Sequence, residues 1–312
     1  MTSGRLTDLP RVGLGAAPLG GLFAAVDDET ATATVDTAVR LGMTYIDTAP
    51  LYGYGLSEQR VGAALAALGH DPVVSTKVGR LVAPAPRREP GDLFVGAPPG
   101  AATFDFTADG IRASLAASLA RLQRPAVDIA LLHDPDDHLD VALTEGIRAL
   151  QDLREEGVVG AIGVGVNHCA TAIRAVRDAP VDVVLIAGRW TLLDRSAAAD
   201  LLPRCADRGV TVVAGGVFNS GALADPGAGT FDYGAVPPPV RARIDALQAA
   251  CDRFGVPLAA AAIQHPLRHP AVAAIVVGCR SPDEVATNAA LLEVVVPDDL
   301  WAALDEIGTT AP

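Results

Sequence analysis

The sequence predicts an α/β chain folded as a single (β/α)8 TIM barrel, one domain over residues 1–312, with long loops at the C-terminal face of the barrel. Three observations point there. Strand-like and helix-like segments alternate with little interruption, and eight such pairs can be counted in a length that suits one large barrel. The strands are continuous apolar runs, as expected of a parallel sheet buried on both faces. The competing doubly wound sheet usually carries GxGxxG after its first strand. Here Gly13-Leu14-Gly15-Ala16-Ala17-Pro18 and Gly163-Val164-Gly165-Val166-Asn167-His168 both lack the third glycine.

The elements follow in order. Arg11 to Gly15 leads in, and a helical stretch runs from Glu29 to Leu41. Thr44 to Asp47 is a short strand, Ser57 to Leu68 an alanine-rich helix, and Val73 to Lys77 a β-rich run. Prolines and glycines break the rhythm over residues 80–107, which reads as a long loop. Helix resumes from Thr107 to Leu122, and the apolar run Val127 to Leu132 ends in His133. Val141 to Glu155 is helix, Val158 to Val166 a strand with two glycines, and Cys169 to Arg177 helix. Val181 to Ile186, Ala197 to Asp207 and Val210 to Val213 continue the alternation. A second long loop reaches Pro239, followed by helices from Val240 to Phe254 and Pro257 to Leu267. Ala271 to Val277 is the last barrel strand, with Asp283 to Leu291 its helix.

Composition narrows the function. The formal charge is -13, with no basic cluster beyond Arg87-Arg88, so nucleic acid and anionic membrane surfaces are excluded as partners. No apolar run approaches the ~20 residues that span a bilayer. Met1-Thr2-Ser3-Gly4-Arg5 leads into no apolar segment of signal-peptide type, so a cytoplasmic protein is expected, either monomer or homodimer. Cys169, Cys205, Cys251 and Cys279 are widely spaced and read as four buried thiols, with no metal site.

Lys77 is the only lysine among 24 basic residues. A chain that meets every other basic position with arginine keeps an ammonium where a compact point charge is needed. Asp47, Lys77 and His133 each end a strand, and Tyr52 lies in the loop after Asp47. In a barrel those positions share the C-terminal rim, where the chemistry sits. A free tyrosine has a pKa near 10, and proton exchange near neutrality needs a value about 3 lower, roughly 4 kcal/mol. One ammonium about 4 Å away at an effective dielectric near 20 supplies about that much. Asp47 would keep Lys77 charged and in place, and His133 would orient the reacting oxygen. Tyr54 is the nearby rival for the acid/base role. The run from His133 to His138 also invites a metal reading, but aspartates solvated in a turn account for it.

At this point the chain resembles the aldo-keto reductase superfamily, over nearly its whole length. The resemblance rests on Asp47-Thr48-Ala49-Pro50-Leu51-Tyr52-Gly53, Ser75-Thr76-Lys77, Leu132-His133 and Gly278-Cys279-Arg280-Ser281. It implies Asp47, Tyr52, Lys77 and His133 as the catalytic tetrad. Within the superfamily the chain looks most like the bacterial branch of L-fucose, D-threo-aldose 1- and pyridoxal 4-dehydrogenases. The segments that carry this are Leu51 to Val61, His133 to Asp137, Ala187 to Leu193 and Phe218 to Gly221. The implied activity is hydride transfer between NAD or NADP and the anomeric carbon of an aldose, giving a lactone. Pyridoxal oxidation and general aldehyde reduction are the alternatives, and a nucleotide-binding regulatory subunit is the reading from another class.

The resemblance also implies a cofactor laid across the rim. It puts pyrophosphate at Asn219, Ser220 and Gly221, and the adenosine end at Gly278, Arg280 and Ser281 with Glu284 and Asn288. Asn167 would bond the nicotinamide carboxamide. Two positions depart from the family pattern, since its carboxamide-binding glutamine falls at Ala187 and its stacking aromatic near Gly215. Trp190 or Phe218 would then hold the ring. A second arginine common in NADP-selective relatives falls at Ala286, which favours NAD or dual use. Tyr54 and Trp190 are the expected substrate contacts, with Phe23, Phe94 and Phe104 on the surrounding loops.

Overall fold

The computed structural model describes residues 9–309 except 90, 228 and 233. Met1 to Arg5, where no leader is expected, lie outside the described residues. Eight parallel strands close into a barrel: β1 (Val12–Gly15), β2 (Tyr45–Asp47), β3 (Val73–Val78), β6 (Val127–His133), β7 (Val159–Val166), β8 (Val183–Ala187), β9 (Thr211–Gly215) and β10 (Val272–Gly278). Between them lie α1 (Asp28–Arg40), α2 (Leu56–Leu68), α3 (Ala108–Leu122), α4 (Ile147–Glu155), α5 (Cys169–Asp178), α6 (Leu201–Arg208), α7 (Pro238–Phe254) and α8 (Leu258–Gln264). α9 (Pro282–Leu292) and α10 (Asp298–Thr309) follow the last strand.

Strand period sorts the side chains into two layers. Ile129 and Leu131 of β6 point into the barrel with Tyr45, Leu185, Val213 and Val276, forming an interior core. Ala130 and Leu132 point outward, into the larger layer between strands and helices. The same alternation turns Ser75 and Lys77 inward. The register sets Asp47 beside Ser75, Lys77 beside Leu131 and His133 beside Gly165. The polar residues of the rim are thus the last inward positions of otherwise apolar strands.

Besides α10, which the sequence reading did not name, three features depart from it. Residues 80–107 are not all loop: β4 (Arg80–Pro84) and β5 (Gly100–Phe104) form an antiparallel hairpin, with Arg80 opposite Phe104. The expected helix from Val141 begins earlier, at Leu139, and passes through a π-type turn at Ala142–Gly146 before α4. Of the four cysteines, all free, Cys169 is only partly buried because it opens α5 beside Ser196.

Candidate active site

Lys77 extends along the inside of the barrel and is 2% exposed. Its stem passes over Gly165, where an added Cβ would lie 3.1 Å from the Lys77 Cε. The ammonium donates to Asp47 Oδ2 at 2.7 Å, to the Thr48 carbonyl at 3.0 Å and to Tyr52 Oη at 3.0 Å. Those three bonds use all three of its donors. Burial opposes the charge, but Asp47 and Tyr52 outweigh it and raise the Lys77 pKa above its ordinary value. Asp47 accepts on its other oxygen from Ser75 Oγ at 2.6 Å, and Ser75 lies 2.9 Å from the buried Tyr45 hydroxyl. A carboxylate only accepts, so the Ser75 proton goes to Asp47 and the Tyr45 hydroxyl donates to Ser75.

Tyr52 is placed by a tight turn. Its N–H donates to the Ala49 carbonyl, and its carbonyl accepts from Ser57 at the start of α2. Gly53, Tyr54 and Gly55 follow with φ of 64°, 54° and 97°, a left-handed run that glycine makes accessible. The turn is backed by Gly20, where a Cβ would sit 2.6 Å from the Tyr52 carbonyl carbon.

His133 closes β6 at 5% exposure, its ring edge-on to Tyr52 with centroids 6.0 Å apart. Burial, then the Arg80 and Lys77 cations, holds its pKa well below the ordinary value, so the ring is neutral. A cavity of about 290 Å³ opens over these groups. Tyr52, Lys77, His133, Asp134 and Asn167 supply its polar wall, and Leu22, Leu51, Leu93 and Phe94 its apolar one. Among the described residues, Tyr52 is the one tyrosine on that wall. A phenol hydrogen-bonded to a buried ammonium, facing a neutral imidazole, can exchange a proton with an oxygen bound between them.

The Aldo/keto reductase family signature matches residues 11–309. The chain belongs to the aldo/keto reductase family. It is therefore an NAD(P)-dependent oxidoreductase acting on a small molecule. This aldo/keto reductase is 44% identical to D-threo-aldose 1-dehydrogenase of a Pseudomonas species, over 96% of its own length and 94% of that protein. It is 40% identical to pyridoxal 4-dehydrogenase of Microbacterium luteolum, over 95% and 93%. Among solved structures, glycerol dehydrogenase from Gluconobacter oxydans superposes with a TM-score of 0.76 at 26% identity, covering 95% and 90% of the two chains.

The structure of this aldo/keto reductase brings Asp47, Tyr52, Lys77 and His133 together, and it sets Asn167 beside them on the cavity wall. Asn167 Nδ2 donates to Asp134 Oδ1 at 3.1 Å. Asn219, Ser220 and Gly221 form a consecutive left-handed run, with φ of 47°, 56° and 94°. Asn219 donates to the Gly188 carbonyl, one residue beyond cavity-lining Ala187. Ser281 caps α9 by accepting from the Glu284 N–H at 3.2 Å. Arg280 is engaged with Glu284 through two guanidinium nitrogens, at 2.8 and 2.5 Å. Gly278 packs on Pro18, and Asn288 donates to Cys279 Sγ at 3.3 Å.

Tyr54 and Trp190 stand off the cavity wall. Tyr54 packs edge-on to Phe94, and burial, then the nearby Asp92 carboxylate, raises its pKa. Trp190 donates to the Pro266 carbonyl at 3.2 Å and stacks near His265, while Phe218 packs into both larger apolar clusters. Asp134 is the residue that the sequence reading missed. Read as a solvated turn aspartate, it is in fact 17% exposed and ion-paired with Arg80 at 2.6 Å. Asp136 is likewise engaged, with His168 and Thr171.

Proposed function

We propose that this chain oxidises the anomeric carbon of an aldose hemiacetal to a lactone, using NAD in preference to NADP. The observation that carries the reading is the buried Asp47–Lys77–Tyr52 chain, which ends on a tyrosine of the cavity wall. The 44% relative acts at position 1 of an aldose, in keeping with it.

When bound, a nicotinamide dinucleotide supplies the hydride acceptor. The residues present fit such a group. Asn219 Oδ1 is buried with no hydrogen-bond partner among the described residues and can accept from a ribose hydroxyl of the dinucleotide, while the left-handed loop around it lets backbone N–H groups come close to a pyrophosphate. Asn219, Ser220 and Gly221 would hold the pyrophosphate. Gly278, Arg280, Ser281, Glu284 and Asn288 would hold the adenosine end, and Asn167 the carboxamide. Glu284 already neutralises Arg280, so a 2′-phosphate has to compete for the guanidinium while a ribose hydroxyl does not.

Tyr52 takes the proton of the anomeric hydroxyl as the carbon gives up its hydrogen with the bonding pair, and the C=O of the lactone forms. Lys77 stabilises the phenolate that lets Tyr52 act as base, and Asp47 keeps that ammonium charged and aimed. Neutral His133 donates to the same oxygen and fixes its position. No charge is created or lost in that orienting step.

Incubation with NAD or NADP and L-fucose, D-arabinose or pyridoxal, read by absorbance of the reduced cofactor, tests the reading. Aldoses should be oxidised with lactone as product, and reduction of simple aldehydes alone would overturn it. Preferred oxidation of pyridoxal is the second reading, favoured by the apolar wall of Leu22, Leu51, Leu93 and Phe94. For cofactor choice, Glu284→Gln should tighten NADP binding roughly tenfold by releasing Arg280, and Arg280→Ala should weaken NADP more than NAD. Equal changes with both cofactors, by fluorescence titration, would show that Arg280 does not read the 2′-position.

A further inference from the structure

Asp134 has three properties that the proton chemistry above does not use. Its φ is 42°, a left-handed conformation uncommon outside glycine. Its N–H donates to the Gly165 carbonyl, fixing it to the end of β7. Its carboxylate faces the cavity, clamped between partners distant in sequence: Arg80 Nη2 on Oδ2 at 2.6 Å and Asn167 Nδ2 on Oδ1 at 3.1 Å. Arg80 opens the β4–β5 hairpin and lies over the Phe104 ring at 4.8 Å, so the clamp is braced from outside the barrel. Strain of this kind persists where the surroundings over-determine a conformation, and such positions concentrate at functional sites.

A carboxylate offers about four acceptor positions, and the clamp uses two. The remaining capacity lies in a cavity whose other wall is Leu22, Leu51, Leu93 and Phe94. A partly satisfied carboxylate beside apolar surface is costly unless the ligand brings a donor. Asp134 Oδ2 is also 3.6 Å from His133 Nε2. This separation is one that two oxygens on neighbouring ring carbons can span, one at His133 and the other at Asp134. The carboxylate has a further effect on the neutral imidazole. His133 Nδ1 is buried without a hydrogen-bond partner among the described residues, so the nearby negative charge favours the ring proton on Nε2, the nitrogen nearer Asp134.

Building on the aldose reading, we propose that Asp134, clamped by Arg80 and Asn167, accepts a hydrogen bond from the hydroxyl next to the oxidised carbon. The site thereby selects hemiacetals that carry a vicinal hydroxyl. Asp134 is a specificity residue in this scheme, and Arg80 acts through it as a positioning residue. A site built to pair with a substrate hydroxyl rejects the analogue without it strongly, because its own polar group is then left unpaired.

The test compares kcat/KM for an aldose and for its 2-deoxy analogue in wild type, Asp134→Asn, Asp134→Leu and Arg80→Gln. Wild type should prefer the hydroxylated sugar by on the order of 10²-fold or more. Asp134→Leu should bring that ratio to about ten or less, with Asp134→Asn and Arg80→Gln in between. Thermal unfolding and dinucleotide affinity verify that each variant is folded, and the two conservative variants carry the test if Asp134→Leu is not. A purely structural role would lower both sugars together; an unchanged ratio in folded variants overturns the proposal. Equal use of both sugars by wild type also overturns it, while leaving the aldose reading intact. Turnover of neither sugar by wild type sinks the aldose reading and this proposal with it.

Discussion

At the scale of single residues, Lys77 has no spare hydrogen and no room. All three donors are committed and its stem lies against Gly165. Lys77→Met keeps the length and removes the charge, so the fold should survive while the Tyr52 phenolate loses its stabilisation. Activity should collapse at neutral pH and recover partly as pH rises toward about 10, where a phenol ionises unaided. Lys77→Arg should not rescue it, since a planar fork cannot occupy the same point. Tyr52→Phe should lower turnover by about 10²–10⁴-fold while cofactor affinity holds. The pH–rate profile of the Met variant decides: the same shape and height as wild type would remove Lys77 from the chemistry. Lys77 stood out in the sequence because its chemical type is unique there. Asp134 did not, since its partner Arg80 lies 54 positions away and nothing local announces a left-handed strand end.

Elements were legible to the extent that their burial is periodic. The eight barrel strands and their helices follow from apolar runs, and the observed bounds fall within a few residues of those expected. The β4–β5 hairpin escaped because its strands are half exposed and end in Pro84 and Gly100, so its ladder comes from pairing and not from composition. α10 went unread as well, being a short amphipathic segment after the last barrel repeat. Contacts between loops are still less visible. The turn at Ala17–Gly20 supports the loop carrying Tyr52, and at Gly20 a Cβ would meet the Tyr52 carbonyl carbon at 2.6 Å. Gly20→Ala should therefore shift the phenol without unfolding the barrel. A displacement near 1 Å can cost on the order of 10²-fold in rate, so kcat should fall at least tenfold. Wild-type kcat in that variant would show that the loop yields elsewhere.

At the scale of the whole molecule, α10 fastens to the barrel where acid should act. His265, 2% exposed, has neither ring nitrogen hydrogen-bonded among the described residues and lies between Trp190 and Trp301. Burial, then the Arg195 cation, pulls its pKa down to about 3. An unfolded histidine titrates near 6.5. Below that pH the unfolded chain binds a proton that the folded chain refuses until about 3, so stability is lost as pH falls through this window. His265→Phe should flatten the fall of Tm between pH 7 and pH 4 relative to wild type. Parallel Tm curves would mean that other groups govern acid unfolding.

Because Lys77 is the only lysine and lies inside the barrel, the folded chain offers amine-directed reagents no lysine on its surface. Acylation of that side chain becomes a clock for opening of the barrel. Its rate under native conditions is the intrinsic rate scaled by the population of open states. Addition of a dinucleotide that binds the closed form should slow labelling in proportion to occupancy, giving a readout of binding independent of turnover. Fast, stoichiometric labelling of the Lys77 peptide in the native protein would instead mean that the reagent enters through the cavity. The residue held for proton chemistry then doubles as the molecule's own opening sensor.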